Sequence, residues 1–183
     1  MKISVDIKRL LLTMTACIVA AILPLTVTTT ESFYPFLVPL LFSVAITLTS
    51  FDRIITKRKY QAFVLTTLLT TLLFFISVML GLTLGKSFLG DYGVYFICVL
   101  SGLLTLLIFS IAVKIDDLKL GLVVTSLLAL TTPFLTKQLQ GQKILNIEFF
   151  GDPATFFIIW QTIIGLALAI SIWKKTNTET KKI

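Results

Sequence analysis

The hydrophobic positions of the chain gather in six long segments that are separated by short, more polar connections. The segments lie near residues 10–28, 33–50, 62–85, 94–113, 118–135 and 154–173. A helix of roughly 20 mainly apolar residues crosses about 30 Å of hydrocarbon, and each segment approaches that length. None of them shows the alternation of apolar and polar residues that the lipid-facing strands of a barrel require. The pattern therefore predicts six membrane-spanning helices.

The fifth segment gives the weakest of these six predictions. Its apolar stretch, LKLGLVVTSLLALTTPFL, is short, and it contains Pro133 near its end. Proline lacks the N–H group that a helix needs and clashes with the preceding turn, so we expect Pro133 to end the helix early. If this segment failed to cross the membrane, five spans would remain.

Composition leads to the same class of protein. Of 183 residues, 56% are hydrophobic and only 14% are charged. A soluble domain of this length needs far more charge on its surface, so the excess of apolar residues must face lipid. The predicted fold class is all-α: residues 1–183 form a single transmembrane helical domain, a multi-pass bundle in a cell membrane such as the bacterial inner membrane.

The basic residues predict the orientation of this bundle, because lysine and arginine in short loops stay on the cytoplasmic side. With six spans and a cytoplasmic N-terminus, thirteen bases lie inside and three outside. The three outside are Lys86, Lys137 and Lys143. Both termini are therefore expected in the cytoplasm. Five spans would move the four lysines after residue 173 to the outside, so the charge pattern also favours six.

One decapeptide, FDRIITKRKY at residues 51–60, concentrates this inner charge. It contains Arg53, Lys57, Arg58 and Lys59 between two apolar segments. Orientation in the membrane accounts for such a run without any ligand, and attraction to anionic headgroups adds to it. If the run also binds a macromolecule, we expect a cytoplasmic protein with an acidic face, and we expect no direct binding of nucleic acid.

The sequence offers little chemistry for catalysis. It contains no histidine, and its nine acids all lie in connections or at the ends of the predicted helices. The two cysteines, Cys17 and Cys98, fall inside predicted helices, where a small packing residue is the simplest interpretation. Motifs for phosphate, dinucleotide or metal binding are absent from the sequence. We therefore predict a protein that is not an enzyme, with no catalytic residue, metal site or cofactor.

Small and weakly polar residues recur on one face of each predicted helix. In the sixth helix they are Gln161, Gly165 and Ala169, which stack at a spacing of four residues. The third helix has the widest such face, formed by Thr66, Thr67, Thr70, Thr71, Ser77, Gly81 and Gly85. Such faces pack helices closely in lipid, and Gln161 suits a hydrogen bond between helices. Alternatively, Gln161 lines a substrate site, and the hydroxyl face of the third helix borders a water-filled path in an oligomer.

Three functions remain open on this basis. The first is a membrane subunit of a larger complex, an anchor or sensor. It would form homo-oligomers and bind a cytoplasmic protein at its basic inner face, for instance in a bacterial accessory system such as phage defence. The second is a small-solute-binding module or transporter subunit. The third is a pore formed by the oligomer.

Overall fold

The computed structural model describes residues 4–27, 34–80, 92–139, 143–144, 147–148 and 152–175. Six helices dominate these residues, and each matches one of the predicted segments. They are α1 (Ile7–Val27), α2 (Tyr34–Thr49), α3 (Lys59–Leu80), α4 (Tyr92–Ala112), α5 (Leu118–Leu139) and α6 (Asp152–Trp173). The strands among these residues are two-residue pairs: β1 (Ser4–Val5) with β4 (Lys174–Lys175), and β2 (Lys143–Ile144) with β3 (Ile147–Glu148), both antiparallel. The prediction of an all-α bundle is confirmed.

Five of these helices, α1 and α3 to α6, are long and apolar enough to cross a membrane. Helix α2 is shorter, and its 16 residues cover about 24 Å at the rise of an α-helix. The expectation that Pro133 ends the fifth helix early is wrong, since α5 continues past it to Leu139. A proline removes one hydrogen bond from the ladder, and a membrane helix tolerates this loss when neighbouring groups compensate for it. The shortest of the six is therefore α2 rather than α5.

Helix α6 lies at the centre of the bundle. Helices α1 to α5 each pack against the next along the chain, and α6 packs between α1 and α5. It also contacts α2 and α4, and the ring of Phe157 lies 4.9 Å from that of Phe74 on α3. The exposed large hydrophobic side chains lie on α1 to α5 and in the connections, whereas none of the side chains described between residues 156 and 173 is exposed. The sequence of α6 is apolar on every side, as a helix enclosed by others requires.

The charged residues collect at one end of this bundle, which we call the charged end. Pairing of β1 with β4 brings the start of α1 beside the end of α6. The α2–α3 and α4–α5 connections meet at the same end through a bridge between Ile54 and Val113 and a 2.9 Å bond from the N–H of Lys114 to the carbonyl of Arg53. Of the basic side chains that the structure describes, eight lie here: Lys8, Arg9, Arg53, Lys57, Arg58, Lys59, Lys114 and Lys119. Lys137 lies at the opposite end of α5.

Candidate functional site

Arg53 connects the α2–α3 connection, to which it belongs, with the α4–α5 connection and with α6. Its Nη1 lies 3.0 Å from Oδ2 of Asp116 in the α4–α5 connection, and the same nitrogen donates a hydrogen bond to the carbonyl of Ile172 in α6. The carboxylate of Asp116 also lies 3.5 Å from Nζ of Lys114. The side chains of Arg53 and Asp116 are only 25% and 11% exposed, so their ion pair is largely shielded from solvent. Arg53 therefore has a structural role.

Trp173 is the centre of the contacts around Arg53. The guanidinium carbons of Arg9 and Arg53 lie 5.1 and 5.2 Å from the centroid of its ring, within the range of cation–π attraction. Its indole Nε1 donates a 3.1 Å hydrogen bond to Oγ1 of Thr13 on α1. Arg9 is in turn 3.2 Å from Oδ2 of Asp52. We call Arg9, Asp52, Arg53, Asp116 and Trp173 the Trp173 clamp.

The structure divides the basic run of residues 51–60 into two kinds of residue. Arg53 belongs to the Trp173 clamp, and Nζ of Lys59 lies 3.3 Å from the carbonyl of Phe51 and 5.3 Å from the centroid of its ring. Lys57 and Arg58 are exposed, and neither side chain makes an ion pair with the described part of the chain. Two cations therefore hold this segment in place, and the two between them point outward.

Glycine residues allow α6 to approach its neighbours closely. A side-chain carbon built on Gly165 would lie 2.7 Å from Sγ and 2.9 Å from Cβ of Cys17 on α1. One built on Gly102 of α4 would lie 2.8 Å from Cδ1 of Ile164. Ala169, one turn beyond Gly165, is fully buried. The small residues predicted on the sixth helix thus lie where it contacts other helices of the same chain.

The broad face of α3 also points into the bundle. Thr66, Thr67 and Thr70 are buried within the monomer. Thr71 is half-buried, and its Oγ1 donates a 2.8 Å hydrogen bond to the carbonyl of Thr67. Ser77 is half-buried, and Gly81 and Gly85 lie outside the described residues. The threonine face therefore meets neighbouring helices of its own chain rather than lipid.

Gln161 makes a hydrogen bond between α6 and α2. Its Nε2 donates to the carbonyl of Val38 at 2.6 Å, and the side chain is fully buried. Its Oε1 has no hydrogen-bond partner within the described residues. The same holds for five buried hydroxyl groups in the ranges that the structure describes: those of Ser43, Thr67, Thr70, Thr125 and Thr132. A buried polar group without a partner costs about 1–3 kcal/mol, and Gln161 is the one amide among these groups.

Sequence reasoning missed the Trp173 clamp, although part of its signal is visible. Tryptophan at the end of an apolar helix, followed by two lysines, is typical of a membrane interface. The pairing of Arg53 with Asp116 spans 63 residues, and the contact of Trp173 with Thr13 spans 160. Pairings at such separations arise from tertiary structure and leave no local pattern.

The described residues contain no group of three or more histidine, cysteine or acidic side chains that could hold a metal ion. Cys17 and Cys98 are buried free thiols on different helices. The arrangement thus offers cationic contacts at the charged end and hydrogen-bonding groups within the bundle. Comparison of the chain with models of known protein families, with curated proteins and with solved structures finds no match.

Proposed function

We propose that this protein is a non-catalytic membrane subunit of a larger complex, an anchor or sensor that binds an acidic cytoplasmic protein at its charged end. One observation carries the proposal. Lys57 and Arg58 are exposed on a segment whose two ends are fixed by Arg53 and Lys59. A fixed segment has little conformational freedom left to lose, so binding through it costs less entropy than binding through a free loop.

The charges around this segment favour an acidic partner. Asp52 and Asp116 are already paired, with Arg9 and with Arg53 and Lys114. Beyond these pairs the charged end exposes four more cations, Lys8, Lys57, Arg58 and Lys119, against two further described carboxylates, Asp6 and Asp117, which accept backbone hydrogen bonds at the starts of α1 and α5. An acidic protein face complements Lys57 and Arg58, whereas Lys8 on α1 and Lys119 on α5 add only to the long-range attraction that speeds association.

Apolar side chains beside the cations favour a protein partner in particular. Ile55 and Tyr60 flank Lys57 and Arg58 and are 63% and 80% exposed. Tyrosine and arginine contribute strongly to protein–protein interfaces, and an aliphatic neighbour adds area that can be removed from water. The segment of residues 55–60 therefore combines the side chains that such interfaces use.

The test replaces Lys57 and Arg58 together with glutamine. The matched control, Lys8→Gln with Lys119→Gln, removes the same charge from the same end of the bundle. Lys59 is left unchanged because it holds the segment to Phe51. Each protein is purified from its native cells in a mild detergent, and the mass and composition of the complex are measured. We expect a soluble acidic protein with the wild type and the control, and its loss from the Lys57/Arg58 variant.

Two results would contradict the proposal. The first is a companion that stays bound to the Lys57/Arg58 variant, or no companion with any of the three proteins. The second is a Lys57/Arg58 variant whose only defect is weaker binding to vesicles that contain phosphatidylglycerol. In that case the segment contacts anionic lipid headgroups rather than a protein.

The proposed assembly also contains more than one copy of this chain. Helices α1 to α5 expose large apolar side chains around the whole bundle, which suits contacts with lipid and with further membrane helices. We propose a bacterial accessory system, such as phage defence, as its setting. The mass from the same purification tests the oligomer, and a single copy in the complex would contradict this part of the proposal.

A further inference from the structure

Three zones follow one another along α6. The first is an aromatic cluster on the side of Gln161 away from the charged end. The ring of Phe74 on α3 lies 4.9 Å from that of Phe157 and 6.5 Å from that of Trp160, and Trp160 lies 5.8 Å from Phe42 on α2. The rings of Phe74, Phe157 and Trp160 thus close this side of the bundle centre, and Phe42 extends from Trp160 toward Gly165, where a side-chain carbon would lie 3.6 Å from its Cε2.

The second zone begins at the next residue, Gln161. Its amide nitrogen is fixed to the carbonyl of Val38, so the group left without a partner is an acceptor, Oε1. The side chain is fully buried near the middle of α6, where no bulk water reaches a membrane bundle. A neighbouring carbonyl cannot satisfy this atom, because both groups only accept hydrogen bonds. None of the described groups donates a hydrogen bond to it.

Three of the five unpartnered hydroxyls lie near this depth. A side-chain carbon on Gly102 would meet both Ile164 of α6 and Thr125 of α5, which places Thr125 about one turn from the level of Gln161. Thr70 lies one turn from Phe74 on α3, on the side of the charged end, and both side chains are buried. Ser43 of α2 follows Phe42, whose ring lies 3.6 Å from a side-chain carbon built on Gly165, one turn beyond Gln161. Each of these three hydroxyls can donate or accept a hydrogen bond.

The third zone is the Trp173 clamp, which closes the charged end. Trp173 lies twelve residues beyond Gln161 on α6, about 18 Å along the helix axis. Its ring is buried beneath the guanidinium groups of Arg9 and Arg53. The polar groups around Gln161, which we call the polar layer, therefore lie between the aromatic cluster and the clamp, and the buried apolar side chains of Ile164, Leu168 and Ile172 fill the part of α6 next to the clamp.

We propose that this layer is a binding site for a small neutral solute with a hydrogen-bond donor, an alcohol or an amide, and that Gln161 Oε1 accepts that bond. The hydroxyls of Ser43 and Thr70 complement the other polar atoms of the solute. A charged solute does not fit, because the described part of the layer contains no ionisable side chain to balance it. The site lies within the bundle and is separate from Lys57 and Arg58, so neither proposal depends on the other.

The experiment uses the full chain in lipid nanodiscs with three neutral probes: acetamide, glycerol and uracil. Thermal unfolding is followed as each probe is titrated. A probe that binds only the folded protein raises its unfolding temperature along a saturating curve, by about 5 °C or more at a hundredfold excess over Kd. We expect this for at least one probe, and we expect Gln161→Met, which is similar in size but lacks the acceptor, to abolish it.

Further variants separate this proposal from other causes. Lys57→Gln with Arg58→Gln should keep the full shift, so loss of the cytoplasmic partner and loss of the solute site are distinguishable. If Gln161→Met is not monodisperse, Ser43→Ala takes its place and should raise the apparent Kd roughly tenfold. The proposal is overturned if none of the three probes gives a saturable shift, or if the substituted protein shifts as much as the wild type.

Discussion

Replacing Gly165 with alanine is expected to destabilise the bundle by about 3 kcal/mol, which lowers the unfolding temperature by about 6 °C or more. The new methyl group would lie 2.7 Å from Sγ and 2.9 Å from Cβ of Cys17. A Cβ atom is fixed to its backbone, so helix α1 itself would have to move away from α6. Thermal unfolding of the purified protein in detergent measures the effect.

Two matched variants show whether this contact is the cause. Alanine at Gly102 meets first the terminal methyl of Ile164, at 2.8 Å, which can rotate away, so we expect a smaller loss there. Combining Gly165→Ala with Cys17→Gly removes both clashing atoms and should restore most of the lost stability. Wild-type stability in Gly165→Ala alone would mean that α6 does not pack against α1 in this way.

Substitution of Arg53 by methionine is expected to have the second large effect, a loss of about 3 kcal/mol. It leaves the shielded carboxylate of Asp116 with Lys114, at 3.5 Å, as its ion-pair partner among the described residues, and it removes the donor to the carbonyl of Ile172. It also removes one of the two cations beside Trp173. The unfolding temperature should fall by about 6 °C or more.

The control for this prediction is Arg9→Met, which also removes a cation beside Trp173. The side chains of Arg9 and Asp52 are 44% and 53% exposed, so their ion pair is screened by solvent and contributes less than about 1 kcal/mol. Adding Asp116→Leu to Arg53→Met should recover part of the loss, because the shielded carboxylate that lost its closer partner is then removed. If Arg53→Met and Arg9→Met lower the unfolding temperature equally, the greater burial of the Arg53–Asp116 pair does not make it more stabilising than the Arg9–Asp52 pair.

The helices of this fold could be predicted because each is encoded locally by an apolar run of the right length. Helix α5 shows where such reasoning fails. Pro133 predicts an early end from local rules, yet the helix continues to Leu139 in the packed bundle. The central position of α6 has a partial signal, since small residues such as Gly165 and Ala169 recur in a helix that is apolar all round. Which neighbours surround it depends on tertiary packing.

The candidate site could be predicted only in outline. The sequence places Arg53, Lys57, Arg58 and Lys59 in one basic run, and nothing local separates their roles. The structure separates them because the partner of Arg53, Asp116, comes from a distant connection. Gln161 is the amide in an otherwise mainly apolar helix, and the sequence predicts a hydrogen bond from it to another helix as one of two interpretations. The unpaired acceptor on the same side chain becomes apparent only once its neighbours are placed.

The central claim is that the charged end faces the cytoplasm, where an acidic protein can reach Lys57 and Arg58. Labelling with a membrane-impermeant maleimide tests it most directly, in a protein whose own cysteines are replaced (Cys17→Ala, Cys98→Ala). Single cysteines are placed at exposed positions near the two ends of α5, Lys119→Cys at the charged end and Lys137→Cys at the other. We predict that position 137 is labelled in intact cells and position 119 only after permeabilisation. Labelling of position 119 in intact cells, with position 137 protected, would contradict the account.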